Sequence, residues 1–104
     1  MVTLEELLND ETIQDIIKYA KQYDLDKVVL FGSRAKGIAR KFSDYDLLIY
    51  GDELSMLDYY LFLTDEYLSP YSFDVVIDGH YSKELKEEVD NTGVVIYEKV
   101  RPKR

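Results

Sequence analysis

The stretch VVLFGSRAKGIARKFSDYDLLIY, residues 28–50, joins two apolar runs through a short, basic connection. Residues 27–31, KVVLF, are β-branched and apolar on both faces, which predicts a buried strand that ends at Gly32. The following SRAK predicts one or two helical turns before Gly37. Residues 44–50 predict a second strand, and this strand begins with two carboxylates that need an explanation.

The flanking residues predict helices and strands in alternation. Thr3 and Glu6 fit a capping box, and Asp10 fits the start of a second helix that extends to Tyr23. Leucines and tyrosines at helical spacing predict a helix over 54–68, buried on more than one side. The remaining predicted elements are strands at 73–78 and 94–98 and a helix over 82–92. This order predicts an α/β (α+β) fold, with a mixed β-sheet and helices packed against it.

Length, charge and composition restrict the possible functions. A chain of 104 residues corresponds to a single domain, residues 1–104. The net charge of −8 disfavours broad nucleic-acid binding, because such binding depends on basic residues that neutralise phosphates. There are no cysteines, which excludes disulfides and thiolate metal sites. The chain has neither a signal-peptide pattern nor an apolar run of about 18 residues, so we expect a cytoplasmic protein without a membrane span.

Three aspartates form the candidate catalytic and metal-binding set. Side chains two apart on a strand share a face, so Asp44 and Asp46 should project together. Asp74 interrupts the next apolar strand, where a charged residue is unusual. It would lie beside Asp44 and Asp46 if the two strands are neighbours. Hard cations such as Mg²⁺ prefer oxygen ligands, and three aspartates could hold two of them for a phosphoryl or nucleotidyl displacement.

The residues before these aspartates suit a polyphosphate. Gly32 would let a phosphate approach the backbone, and Ser33 would add N–H and hydroxyl donors at the start of the short helix. Arg34 and Lys36 bring positive charge that suits a triphosphate. For Arg40 and Lys41, phosphate binding and simple exposure stay equally open. GSRAKG is not a P-loop, because no Lys-Ser/Thr pair follows the second glycine.

Gly32-Ser33, ten residues and then Asp44-Tyr45-Asp46 resemble the GS-x10-DxD signature of the DNA polymerase beta-like nucleotidyltransferase superfamily. Asp74 stands where that family has its third carboxylate. The preceding apolar strand, the RAKG that follows and the short length resemble the minimal nucleotidyltransferases (MNT) in particular. The resemblance extends from about residue 10 to residue 98, and it implies the nucleotidyltransferase fold.

The resemblance also implies an activity. ATP would bind with Mg²⁺, and AMP would be transferred to an acceptor hydroxyl as pyrophosphate leaves. Gly32 and Ser33 would hold the β- and γ-phosphates, and Asp44 and Asp46 the metals. Asp74 would ligate one metal and accept the proton of the incoming hydroxyl. Minimal family members commonly serve as antitoxins beside a helical HEPN ribonuclease toxin, which they inactivate by adding AMP to a toxin tyrosine.

Two other functions stay open at this stage. The chain could be an acidic antitoxin that neutralises its partner by binding alone, without catalysis. It could also be a nucleotidyltransferase that modifies RNA or a small molecule with the help of a separate acceptor-binding subunit. The absence of residues for an acceptor domain favours a folded protein as acceptor.

Several other residues have structural interpretations. His80 is expected at the surface in a turn, and Asp78 in solvent at a strand end. Tyr59, Tyr60 and Tyr67 are expected in the core or at an interface, and stacking of one tyrosine on the adenine base stays open. Residues 101–104 are expected to form a solvated end.

Overall fold

The computed structural model describes residues 2–100, so the predicted solvated end at 101–104 lies outside the described residues. Four strands form one mixed sheet: β1 (Lys27–Phe31), β2 (Tyr45–Tyr50), β3 (Phe73–Ile77) and β4 (Val94–Glu98). Their spatial order is β3-β2-β1-β4. Strand β1 pairs antiparallel with β2 and β4, whereas β2 and β3 are parallel. The predicted mixed sheet is confirmed, and β2 begins one residue later than predicted, at Tyr45.

Within residues 2–100 five α-helices pack against the sheet: α1 (Leu4–Leu8), α2 (Glu11–Gln22), α3 (Gly32–Lys36), α4 (Glu53–Leu61) and α5 (Lys83–Thr92). The predicted start signals are confirmed. The Thr3 hydroxyl accepts the Glu6 N–H, and the Asp10 carboxylate accepts the N–H groups of Thr12 and Ile13. Ser82 begins α5 in the same way. Within residues 2–100, no helix is both long enough and apolar enough to cross a membrane.

The two faces of the sheet carry two separate cores. Helices α1, α2 and α4 cover one face and pack on Val28, Leu30, Tyr45, Leu47 and Ile49. Helix α5 covers the other face, where Val89 packs with Val29, Phe31 and Leu48. Successive strand residues alternate between these faces. Tyr45 therefore enters the larger core, and Asp46 points to the α5 side.

The predicted helix over 54–68 requires a correction. The α-helix ends at Leu61 and continues as a π-helical turn, Phe62–Glu66. Met56, Tyr59 and Leu63 are buried, but the leucines at 54, 57, 61 and 68 are exposed. The prediction of burial on more than one side was wrong because only one face of this segment meets the sheet.

The tyrosines of this segment are where the sequence placed them. The Tyr59 hydroxyl is buried and donates to the Ile16 carbonyl oxygen at 2.9 Å. Tyr60 and Tyr67 are partly buried against the larger core. The Tyr67 hydroxyl donates to the Asp15 carboxylate, and burial and that carboxylate raise the Tyr67 pKa. These hydroxyls fasten the α4 segment to α2.

Candidate active site

Asp46 and Asp74 lie side by side on neighbouring strands. They are direct partners in the parallel register of β2 and β3. The pKa of Asp46 is raised to about 6, first by burial and then by the negative charges of Asp74, Asp44 and Glu88. The structure thus pairs Asp46 with Asp74, and Asp44, which precedes β2, is near enough for its charge to act on Asp46. It adds Glu88, from α5, as a fourth acidic neighbour.

The donor chemistry of this cluster fits a hard divalent cation. Neither of the ion pairs found among residues 2–100 involves Asp44, Asp46 or Asp74, so their negative charge has no basic side chain to compensate it. Carboxylates left in that condition favour a bound cation. In the described part of the chain no three acidic or histidine side chains are already gathered as a ligand set, so binding would require side-chain rotation.

Gly32 sits directly against the Asp46 carboxylate. Its φ of +74° is in the left-handed region, and a Cβ at this position would overlap Asp46 Oδ2 and lie 3.1 Å from Asp46 Cγ. The Gly32 N–H donates to Thr92 Oγ1 at 3.4 Å, and the Thr92 hydroxyl donates to the Glu88 carbonyl oxygen. The turn from β1 into α3 is therefore packed between the carboxylates and the end of α5.

The other predicted phosphate-binding residues lie on α3. Ser33 is its second residue and is partly buried, whereas Lys36 is its last residue and is exposed. Gly37 ends the helix in the left-handed conformation, with φ of +76°. Ser33 thus adjoins Gly32, while Lys36 extends from the far end of a helix of only five residues.

Arg34 does not point to the carboxylate side. Its guanidinium donates to the carbonyl oxygens of Ser43, at 2.9 and 3.3 Å, and of Lys41, at 3.2 Å. It also lies 4.1 Å from the Tyr45 ring centroid, on the sheet face opposite Asp46. In this structure its donors hold the 38–44 loop, and phosphate binding by Arg34 stays a prediction.

Tyr45 fixes the start of β2 from the core side. Its hydroxyl donates to Asp10 Oδ2 at 2.8 Å, and its side chain is 1% exposed. Burial and the Asp10 carboxylate raise the pKa of Tyr45 to about 12, which keeps the hydroxyl protonated as the donor. The same Asp10 carboxylate caps α2. The start of β2 is thereby connected to both α2 and α3, and this positions the adjacent Asp46.

Sequence reasoning missed Glu88 and Thr92. Both belong to α5, and because they are four residues apart they share the face of that helix that approaches the site. The only available signal was this spacing within SKELKEEVDNTG, which does not show that α5 packs beside Gly32.

The remaining predicted positions have these outcomes. His80 is exposed in the turn after β3, as predicted. Asp78 is only partly exposed, because its carboxylate accepts the Tyr81 hydroxyl at 3.3 Å. Arg40 and Lys41 are exposed on the 38–44 loop. In that loop the Arg40 N–H donates to Ser43 Oγ at 2.8 Å.

A mixed sheet that carries an aspartate pair beside a glycine turn is the arrangement of a nucleotidyltransferase. The chain belongs to the polymerase beta nucleotidyltransferase family, whose model matches residues 14–101. The fold and enzyme class expected from the sequence are thereby confirmed. No curated protein matches this chain in sequence.

Three solved structures similar to this chain are of toxin–antitoxin proteins. One is a toxin–antitoxin with AMP-PNP, at 22% identity and a TM-score of 0.65, covering 84% of this chain and 73% of that one. Another is a mutant of the toxin–antitoxin MntA-HpeT with two Asp-to-Glu substitutions, at 19% identity, a TM-score of 0.65 and the same coverage. A Tyr-to-Ala mutant of that pair has 22% identity and a TM-score of 0.62, covering 83% of this chain and 72% of that one. At these identities the likeness establishes the fold.

Proposed function

We propose that this chain is a Mg²⁺-dependent enzyme that transfers AMP from ATP to a tyrosine hydroxyl on a partner protein, and that it acts as an antitoxin. The observation that carries the proposal is the pairing of Asp46 with Asp74 beside Gly32. Their charge is uncompensated, and the pKa of Asp46 is raised to about 6. Family membership provides the reaction class.

The reaction displaces pyrophosphate from the α-phosphorus of ATP. The acceptor hydroxyl oxygen forms the new bond to that phosphorus while the bond to the bridging oxygen breaks. Asp74 accepts the hydroxyl proton, since it is exposed and can reach an incoming group. Mg²⁺, two ions in this proposal, would be held by Asp44, Asp46 and Asp74 and would neutralise the charge on the phosphates.

The other roles follow from the surroundings of Gly32. In this proposal Gly32 and Ser33 hold the β- and γ-phosphates, with the partly buried Ser33 beside the carboxylates supplying the hydroxyl. Lys36 is exposed and able to turn towards them. Arg34 acts as a positioning residue, because its contacts hold the loop that leads to Asp44.

The partner in this proposal is a HEPN-type toxin in the cytoplasm. The toxin–antitoxin identity of the similar structures supports an antitoxin role, and the AMP-PNP in one of them supports ATP as substrate.

The test uses ATP labelled at the α-phosphate or at the γ-phosphate. Purified protein, Mg²⁺ and a lysate of the source cell should yield a labelled protein band from the α label only. Asp46→Asn should abolish that band. Asp65→Asn, an exposed aspartate outside the cluster, is the matched control and should keep it. Labelling from the γ-phosphate, or full transfer by Asp46→Asn, would refute the proposal.

Neutralisation by binding alone is the second candidate, favoured by the net charge of −8. A growth assay with the toxin co-expressed separates the two functions. Under the enzymatic proposal, the double variant Asp44→Asn/Asp46→Asn no longer protects the cells. Full protection by a folded double variant would establish the binding function instead.

A further inference from the structure

Helix α4 exposes a row of leucines that the fold does not use. Leu54 is 71% exposed, Leu57 45% and Leu61 44%. Their spacing of three and four residues places them on one side of the helix. Met56 and Tyr59, on the opposite side, are buried and hold α4 against the sheet. We call Leu54, Leu57 and Leu61 the leucine stripe.

The leucine stripe borders a groove of about 310 Å³. The groove is lined by Glu53, Leu57, Ile77 and His80. It thus extends the apolar surface from α4 to the end of β3. Asp74 lies three residues earlier on β3, about 10 Å away along the strand, so an occupant of the groove leaves the carboxylates open.

The chain segment that contains the stripe and the groove is acidic. None of residues 42–82 is lysine or arginine, whereas nine are aspartate or glutamate. Asp58 follows Leu54 by four residues and precedes Leu61 by three, so it flanks the stripe on the same side of α4. Glu53 lines the groove itself. The apolar surface therefore has an acidic border.

We propose that the leucine stripe and its groove form a docking surface for a partner protein that presents an apolar helix flanked by lysine and arginine. Apolar side chains at helical spacing suit a helix-to-helix contact, and the acidic border selects basic flanks. A second copy of this chain fits poorly, because it would bring two acidic borders together. The proposal rests on the proposed function in one respect: the docked protein is the AMP acceptor.

The test measures the binding of two synthetic helical peptides by fluorescence anisotropy. Each has 21 residues with leucine at the a and d heptad positions, and lysine or glutamate at e and g. The lysine peptide should bind the full chain, and the glutamate peptide should not. Leu57→Ser/Leu61→Ser should weaken lysine-peptide binding at least about tenfold, the scale of losing central apolar contacts. Leu4→Ser on α1, where Leu4 is 47% exposed, is the matched control and should bind as the wild type does.

The acidic border has its own test. Glu53→Gln/Asp58→Asn should weaken lysine-peptide binding several-fold at low salt and flatten its salt dependence. Circular dichroism verifies that each variant is folded. Equal binding of the lysine peptide by the wild type and the stripe variant would show attraction to net charge alone and overturn the proposal. Failure of the wild type to bind this peptide would also overturn it.

Two measurements distinguish the remaining outcomes. Sedimentation in which the wild type is a dimer and the stripe variant a monomer would identify a second copy as the occupant and overturn the proposal. Asp46→Asn should bind the lysine peptide like the wild type, because docking requires neither ATP nor the carboxylates. Failure of AMP transfer with intact peptide binding would therefore refute the proposed function and leave the docking surface standing.

Discussion

Replacing Gly32 with alanine tests the close contact between the glycine turn and Asp46. Two costs arise at this position. The φ of +74° is strained for any residue with a Cβ, which costs about 1–2 kcal/mol. The new Cβ would also overlap Asp46 Oδ2, so the carboxylate must move, and such overpacking costs about 1–3 kcal/mol more.

Gly79→Ala is the matched control, because it has the first cost without the second. Gly79 also has a positive φ, +90°, but a Cβ there would meet no atom within 4 Å. Gly79→Ala should therefore lose about 1–2 kcal/mol of unfolding free energy, and Gly32→Ala about 2–5 kcal/mol. For a domain of this size, each 1 kcal/mol corresponds to roughly 4–8 °C in Tm.

The assay combines chemical denaturation with the α-labelled transfer reaction. Gly79→Ala should keep its transfer activity wherever it is folded. Gly32→Ala should lose transfer even at temperatures where circular dichroism shows a folded chain, because the Asp46 carboxylate is displaced. The reasoning would be refuted if Gly32→Ala lost no more stability than Gly79→Ala and transferred AMP at the normal rate.

Three further predictions concern the surroundings of Asp46. Asp46 has a pKa of about 6 against an ordinary 3.8, so the folded chain holds this proton more tightly than the unfolded chain does. In EDTA, which removes bound metal ions, the free energy of unfolding should therefore fall as the pH rises from about 4 to about 6. Asp46→Asn should remove that decline and raise Tm at pH 7.5, which a pH series of thermal melts would check. Arg34→Lys should lower both the Tm of the ATP-free protein and kcat and leave KM for ATP unchanged, because the loop before Asp44 loses its support. A raised KM at an unchanged Tm would instead show that Arg34 binds phosphate. Tyr45→Phe should cost about 1–2 kcal/mol in urea unfolding, because the bond to Asp10 is lost; an unchanged midpoint would contradict this.

The sequence predicted those features of the fold and the site that depend on local patterns of residues. Apolar runs identified β1 and β2, and the aspartates stood out because carboxylates are unusual in such strands. It did not predict the partners of Arg34, because these are backbone carbonyl oxygens whose position depends on the path of the 38–44 loop. It also did not predict which side of α4 faces the sheet. Both sides of that helix carry large apolar residues, so hydrophobic periodicity alone cannot separate core from surface.

Successive residues of β2 point to opposite faces of the sheet, and this explains how the fold holds the Asp46 carboxylate in an unfavourable position. Asp46 is held where burial and three neighbouring carboxylates disfavour its ionised form. Its neighbour Tyr45 points to the opposite face, where it is fully packed and bonded to Asp10. The Arg34 guanidinium covers the Tyr45 ring and holds the preceding loop. Because one backbone carries both side chains, the stability of the larger core fixes the carboxylate on the α5 side. Loosening Tyr45 should therefore relax Asp46 and lower its pKa, although the two side chains lie on opposite faces of the sheet.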